Sequence, residues 1–307
     1  MKSGVKASVV IPVYNEEANL EELSRRLDPM LTKNDEVIFV NDGSKDMSLE
    51  ILRSMSKKDP RVKILSFSRN FGQQAAITAG LEVASGDVVI TMDADLQDPP
   101  ELLPEFLQKI SSGFDVVYGI SETRSDPPLR KMLFNLYHFV MDKLSAYPVP
   151  RQAGIFAAMT REVAGVLREI QERNRFLPAL RSWVGFRQVG ISYQKPKRFA
   201  GRESQNLGKL FKMGFDSLFS FSYVPLRLAT YLGLIVTFGA TLGIIDVLLQ
   251  KFVFGTAILG WAGPTLSVLV IGGTQLIILG IIGEYLGRIY DEVKRRPNYI
   301  VSEKIGF

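Results

Sequence analysis

Over the first 120 positions the apolar residues fall into short blocks, each followed by a stretch with helical periodicity. Residues 7–11 (ASVVI) form a short apolar run closed by Pro12, as expected of a buried parallel strand. Residues 15–31 place acidic side chains first and then Leu20, Leu23, Leu27 and Leu31 at helical spacing. The alternation continues with a strand at 36–40 (EVIFV), a helix at 48–57, a strand at 62–66, a small-residue helix at 72–84, and strands at 87–92 and 115–118. This order predicts an α/β fold, a parallel sheet with helices on both faces.

Ligands of such sheets bind beyond the carboxyl ends of the strands. Three polar clusters sit at those ends: Tyr14-Asn15-Glu16, Asn41-Asp42 and Asp93-Ala94-Asp95. Their convergence follows from topology alone.

The second half reads differently. Residues 129–144 carry Leu129, Met132, Leu133, Leu136, Tyr137, Val140 and Leu144 on one broad helical face. Residues 206–221 set Leu207, Leu210, Phe211, Phe215 and Leu218 against Lys209, Lys212 and Asp216. Either pattern suits core packing; the aromatic content, and the closeness of the second to the apolar segment that begins at Leu228, favour amphipathic helices lying at a membrane interface. Residues 228–245 and 265–283 are uncharged, the second containing Gln275, and are bounded by Arg227, Asp246, Glu284 and Arg288. Each matches the roughly 20 residues that cross about 30 Å of hydrocarbon. Two transmembrane helices are therefore expected, at about 228–249 and 264–287. Arg227, Arg288, Lys294, Arg295 and Arg296 flank the pair on the side of the chain ends, whereas the loop 250–264 has one lysine. The positive-inside bias puts both ends in the cytoplasm. Residues 7–13 are too short for a cleavable signal, so the first domain is expected to stay there too.

Composition removes several classes. The 307 residues include no cysteine and one histidine, His138, which excludes disulfides and thiolate sites and disfavours a zinc site or a His-based triad. The net charge of +5 is modest. Its basic clusters (Lys195, Lys197, Arg198, Arg202, Lys209 and Lys212, then 294–296) lack any nucleic-acid motif, so anionic headgroups and substrate phosphates are the better partners. No Gly-x-Gly-x-x-Gly or phosphate-loop sequence is present, which disfavours a dinucleotide enzyme or an ATPase.

Asp93 and Asp95, one residue apart at a strand end, can share a hard divalent cation that bridges a nucleoside diphosphate. The alternative is a solvated acidic turn, against which stand the neighbours Gln97, Asp98, Pro99 and Pro100. Asp42 is placed to accept hydrogen bonds from a base or ribose, Tyr14 to flank a base, and Glu16 to hydrogen-bond.

The segments VIPVYNE (10–16), VNDGS (40–44) and MDADLQDPP (92–100) together resemble family 2 glycosyltransferases of the GT-A fold, which implies a Rossmann-like α/β architecture with a mixed, mainly parallel sheet. Asn174-Arg175-Phe176, Trp183-Val184-Gly185-Phe186, Arg198-Phe199-Ala200-Gly201 and Ser220-Phe221-Ser222 with Pro225-Leu226-Arg227 resemble its polyprenyl-phosphate branch, which holds dolichol-phosphate mannose synthases and bacterial undecaprenyl-phosphate sugar transferases. The resemblance implies an inverting transfer from a UDP- or GDP-linked sugar to polyprenyl phosphate, in an integral protein of the bacterial inner membrane. It implies nucleotide contacts from Pro12, Tyr14, Glu16, Val40, Asp42, Asp93 and Ala94, and Mg²⁺ or Mn²⁺ held by Asp95 and Gln97 with Asp93. Arg198 is implied at the diphosphate or lipid phosphate, with Asp93 and Asp95 as the catalytic set; Ser204, Arg202 and Arg124 belong to the same anionic neighbourhood.

One stretch departs from the family. Where relatives carry Asp-x-Gly-Asp-Phe-Arg, this chain reads Gln152-Ala153-Gly154-Ile155-Phe156-Ala157, and Gln205 stands where a lysine is common. The second reading is thus a catalytically impaired membrane scaffold or nucleotide-sugar-binding pseudoenzyme. A processive polysaccharide synthase is disfavoured by the missing Gln-x-x-Arg-Trp signature, and a transporter by the number of spans. The expected organisation is a GT-A domain at 1–205, a juxtamembrane amphipathic helix at 206–225, two transmembrane helices within 226–290 and a cytoplasmic tail at 291–307. Gly272, Gly273, Gly280, Gly283 and Gly287 would allow close helix contact in a homo-oligomer.

Overall fold

A computed structural model describes residues 5–122, 153–170, 172, 175–196, 224–253 and 262–307. The amphipathic helices expected at 129–144 and 206–221, and Arg124, His138, Gln152, Arg198, Arg202 and Ser204, lie outside the described residues.

Four parallel strands form the centre: β1 (Ala7–Val13), β2 (Glu36–Asn41), β3 (Val62–Phe67) and β4 (Val88–Thr91). They are joined through α1 (Leu20–Leu27), α2 (Ser48–Lys58) and α3 (Gln73–Val83). After α4 (Leu103–Ser111) come β5 (Val116–Glu122), β6 (Ala153–Thr160), α5 (Arg161–Glu169), α6 (Leu177–Trp183) and β7 (Gln188–Gln194). The last strand is β8 (Val301–Ile305). The sheet order is β7-β5-β6-β4-β1-β2-β3-β8, with β6 antiparallel to both neighbours and β8 antiparallel to β3. The expected mixed, mainly parallel sheet is what forms.

Alternation along the central strands sorts their side chains into two cores. Val9, Ile11, Val37, Phe39 and Ile90 pack with Leu20, Leu23 and Leu27 of α1, Leu52 of α2 and Phe106 of α4. Val10, Ile38, Val40 and Val89 face the other way, onto Ala76, Ile77 and Leu81 of α3, Leu167 of α5 and Leu180 of α6. Burying each such leucine or isoleucine contributes about 1.5–3 kcal/mol, so these two layers hold the sheet. Gly80 is what lets α3 come so close: a Cβ there would lie 2.1 Å from Val10 Cγ1.

Pro12 does not end β1 but sits within it, in register with Val40. The Val10 carbonyl accepts from Met92 N–H on the β4 side, and Pro12, two residues on, faces that same side after β4 has stopped. Its missing N–H therefore breaks no ladder bond.

The C-terminal segment also differs from expectation. Residues 291–307 read as a tail, yet α8 (Ala262–Val293) runs into them and Val301–Ile305 pairs with β3. A five-residue polar edge strand has little hydrophobic signature of its own, and only its partner reveals it.

The sheet and its helices make up one unit; α7 (Val224–Phe252) and α8 make up the other. Within that second unit the helices pack on each other, with Gly233 facing Ile278. Among the described residues Val270–Val293 is long and apolar enough to cross a membrane, and α7 contains the shorter apolar stretch Ala229–Gly243. Ile235, Phe238, Leu276 and Val293 are each at least 66% exposed, a surface that water does not favour.

Candidate active site

Strand β4 is short, so the chain leaves β1 after Thr91 while β1 continues beside β2 to Val13. The connection from β1 goes to β2 on one side, whereas β4 lies on the other. This makes a topological switch point, and Tyr14-Asn15 and Asp93 follow the carboxyl ends of its two adjacent strands. Asn15 and Leu96, both with left-handed φ (55° and 63°), turn the two loops that follow these strand ends. Leu96 is buried in the core, which anchors the Asp93–Asp98 turn despite the strained backbone.

The turn is held from three sides. Asp98 accepts from the Asp93 N–H through Oδ2 (3.0 Å) and from the Tyr193 hydroxyl of β7 through Oδ1 (2.8 Å). Gln73, the first residue of α3, donates from Nε2 to Asp93 Oδ1 at 2.6 Å. Asp95 Oδ1 accepts from the Gln97 N–H at 3.1 Å. Burial pushes the Asp93 carboxyl well above the usual range, and the Asp98 and Asp95 carboxylates push it further, while Lys195 and Gln73 oppose them. Asp98 is raised as well, first by burial, with the Asp93 N–H, Tyr193 and Lys195 pulling it down. Crowded carboxyls of this kind are what a divalent cation would relieve.

Among the described residues no three acidic or imidazole groups form a ready-made cage. Asp98 is committed to the turn by both oxygens, which leaves Asp93 and Asp95. One or two carboxylates completed by substrate phosphate oxygens is the arrangement that suits a hard ion such as Mg²⁺. The donor set fits the ion named from sequence, provided the substrate supplies the remaining ligands.

Asp42 is tied into the protein's own backbone. It is 3% exposed, and its two oxygens accept from the Phe71 N–H (2.6 Å) and the Gly72 N–H (2.9 Å). Burial raises its carboxyl and those two amides hold it down. Asp42 thus fixes the loop after β3. Gly43, with φ +65°, lets that loop approach: a Cβ would lie 2.4 Å from the Arg69 carbonyl carbon. Pro12, Val40 and Ala94 are buried, while Tyr14 is 43% exposed. The Glu16 N–H donates to Ser48 Oγ, and its carboxylate accepts from Asn19 Nδ2. An open pocket of about 870 Å³ lies beside them, lined by Tyr14, Ser44, Lys45, Arg69, Ser302 and Glu303 among others. Asp93 and Asp95 do not line it; the 71–73 loop joins the two regions.

The departing stretch at 152–157 lies mostly in β6. Ile155 and Phe156, at 7% and 1% exposure, occupy core positions. The buried Arg181 donates to the Gly154 (2.7 Å) and Ile155 (3.4 Å) carbonyls, and Thr91 donates to that of Ile155. Burial lowers the Arg181 guanidinium to about 10. The start of β6 is braced here by side chains on backbone carbonyls. Gln73, Tyr193 and Arg181 escaped the sequence reading, because no local pattern marks a residue whose partner is 20 to 100 positions away.

The profile of glycosyl transferase family 2 matches residues 8–168, the part containing β1 to β6 and the Asp93 turn. The chain belongs to glycosyltransferase family 2. The uncharacterized glycosyltransferase YkcC of Bacillus subtilis (strain 168) is 41% identical over 100% of this chain and 96% of its own length. The SfII prophage-derived bactoprenol glucosyl transferase of Shigella flexneri is 38% identical over 97% of this chain and 98% of its own. A crystal structure of glucosyl-3-phosphoglycerate synthase from Mycobacterium tuberculosis with Mn²⁺, UDP and phosphoglyceric acid is 19% identical, covering 70% of this chain and 76% of that one at a TM-score of 0.48.

Proposed function

We propose that this glycosyltransferase moves a sugar from a UDP- or GDP-linked donor to polyprenyl phosphate at a membrane, with inversion at the anomeric carbon. The observation that carries the reading is full-length similarity to a bactoprenol glucosyl transferase in a chain that also has Asp93 and Asp95 in the turn after β4. The exposed apolar surfaces of α7 and α8 support a bilayer as the source of the acceptor. Both helices span it in this reading, with the loop between them outside and the basic 294–296 segment on the cytoplasmic side.

The acceptor phosphate oxygen forms the new bond to the anomeric carbon. The bond from that carbon to the diphosphate breaks, and its electron pair leaves with the nucleoside diphosphate. Phosphate monoesters have a second pKa near about 6, so the nucleophile arrives ionised and needs little help from a base. This makes the absence of a carboxylate over 152–157 compatible with turnover. Asp93, Asp95 and Gln97 would hold a divalent ion, which when bound neutralises charge on the leaving diphosphate. The chain's own residues position the reactants: Asp42 and Gly43 set the nucleotide loop, and Gln73 with Asp98 orients Asp93. Arg198, Arg202, Ser204 and Arg124 supply the anion contacts in this reading.

The pseudoenzyme reading rests on the buried Ile155 and on Gln152. The test that separates the two is a screen of labelled nucleotide sugars with undecaprenyl phosphate and Mg²⁺ or Mn²⁺, reading lipid-linked product. Asp95→Ala should abolish metal-dependent transfer and leave the protein folded. Undiminished turnover in that variant would sink the metal assignment, and no product with any donor would favour the scaffold.

A further inference from the structure

The segment after α8 returns to the sheet at the edge of the pocket. Ser68 N–H donates to the Ile300 carbonyl (3.0 Å), Ser302 Oγ donates to the Ser66 carbonyl (3.0 Å), and Arg53 pairs with Glu303. The Tyr299 ring stacks on Phe67, with centroids 4.9 Å apart and planes 14° from parallel, and its hydroxyl donates to Glu82. Phe67 in turn meets Phe71 edge-on at 5.7 Å, and the Arg69 guanidinium lies 4.6 Å over the Phe71 ring.

Phe71 and Gly72 are the residues whose amides Asp42 holds, and Gln73 is the one that bonds Asp93. A continuous line of contacts therefore runs from the approach to β8 to the acidic turn at Asp93. Phe67 also falls where the β3–β8 register slips, and it is there that the Tyr299 ring stacks on it.

We propose that β8, with Tyr299 ahead of it, is a positioning element of the donor pocket, setting the 68–73 loop and through it the affinity for a nucleoside diphosphate. The proposal rests on the donor reading above. Ser302 and Glu303 add the strand's own side chains to the pocket wall. A C-terminal segment that merely closed the sheet would need neither those residues in the pocket nor an aromatic path to Asp42.

The test uses the full-length protein in detergent, with two readouts. Amide hydrogen exchange at Phe71 and Gly72, measured without ligand, reports whether the loop is held. Binding of UDP and GDP, with donor and acceptor KM, reports what the holding does. Tyr299→Ala should speed exchange at both amides and weaken nucleotide binding about tenfold, leaving acceptor KM within about twofold. Tyr299→Phe keeps the stack and should behave as the wild type. Phe71→Leu breaks the line at its midpoint without touching β8 and should weaken nucleotide binding likewise, which covers the case that Tyr299→Ala does not fold. Unchanged exchange at 71–72, or faster exchange with unchanged nucleotide affinity, overturns the proposal. Wild-type protein that binds neither UDP nor GDP overturns the donor reading instead, and the functional half of this one with it.

Discussion

Removing one oxygen atom from Tyr193 asks whether the acidic turn is held from β7. The Tyr193 ring meets Phe156 edge-on at 5.8 Å, and Gly119 leaves room for it, since a Cβ there would lie 2.6 Å from Tyr193 Cε1. Tyr193→Phe therefore keeps the packing and deletes one hydrogen bond, 2.8 Å long, to Asp98. Asp98 is 5% exposed, so water cannot replace the lost donor. A bond to a buried charged group is worth about 1.5–3 kcal/mol. At ~2–4 °C per kcal/mol for a domain of this size, Tm should fall by roughly 3–12 °C. The Asp98 carboxyl, already raised by burial, should rise further, because Tyr193 is one of the groups lowering it. Asp98 also anchors the Asp93 N–H, so the turn loosens and kcat should drop about ten- to a hundredfold. Thermal melts of the detergent-solubilised protein and initial rates of lipid-linked product read both effects. A Tm within about 1 °C of wild type together with turnover within about twofold would refute the clamp.

At the opposite end of the strands, Glu36 would be raised by burial, but Lys63 at 2.7 Å with Ser8 and Ser85 outweighs this and holds it at about 2. Since the folded value lies below the usual glutamate value near about 4.3, the stabilisation of about 3 kcal/mol is present above that value. It is lost as pH falls from there through about 2, and Glu36→Gln should flatten that acid slope in urea midpoints. Gly43→Ala, forced to φ +65° against the Arg69 backbone, should cost about 2 kcal/mol or more and weaken nucleotide binding, as titration with UDP or GDP would show. Gln152→Asp should raise activity or change donor preference in the nucleotide-sugar screen; if it does neither, Gln152 is not at the position of the family's base.

Much of the sheet was legible because β1 to β4 are mostly apolar, as a strand covered on both faces has to be. Strand β6 (AGIFAAMT) is rich in alanine and glycine with no β-branched run, so neither period nor propensity announced it. Strand β8 (VSEKI) is mostly polar because only one edge of it is paired. The acidic pair was visible as Asp93-Ala94-Asp95, whereas its supports were not. Tyr193 meets Asp98 across 95 residues and Gln73 meets Asp93 across 20, and no local spacing encodes either meeting.

The sequence by itself determined the α/β class, the family, the strand-end clusters and the apolar C-terminal helices, since each rests on local periodicity or a contiguous motif. Only the tertiary structure decided that Asp42 holds a loop, that Asp98 is a brace, and that the last strand borders the pocket. Those roles depend on which partner a buried polar group finds, and burial makes that partner obligatory without naming it in the chain.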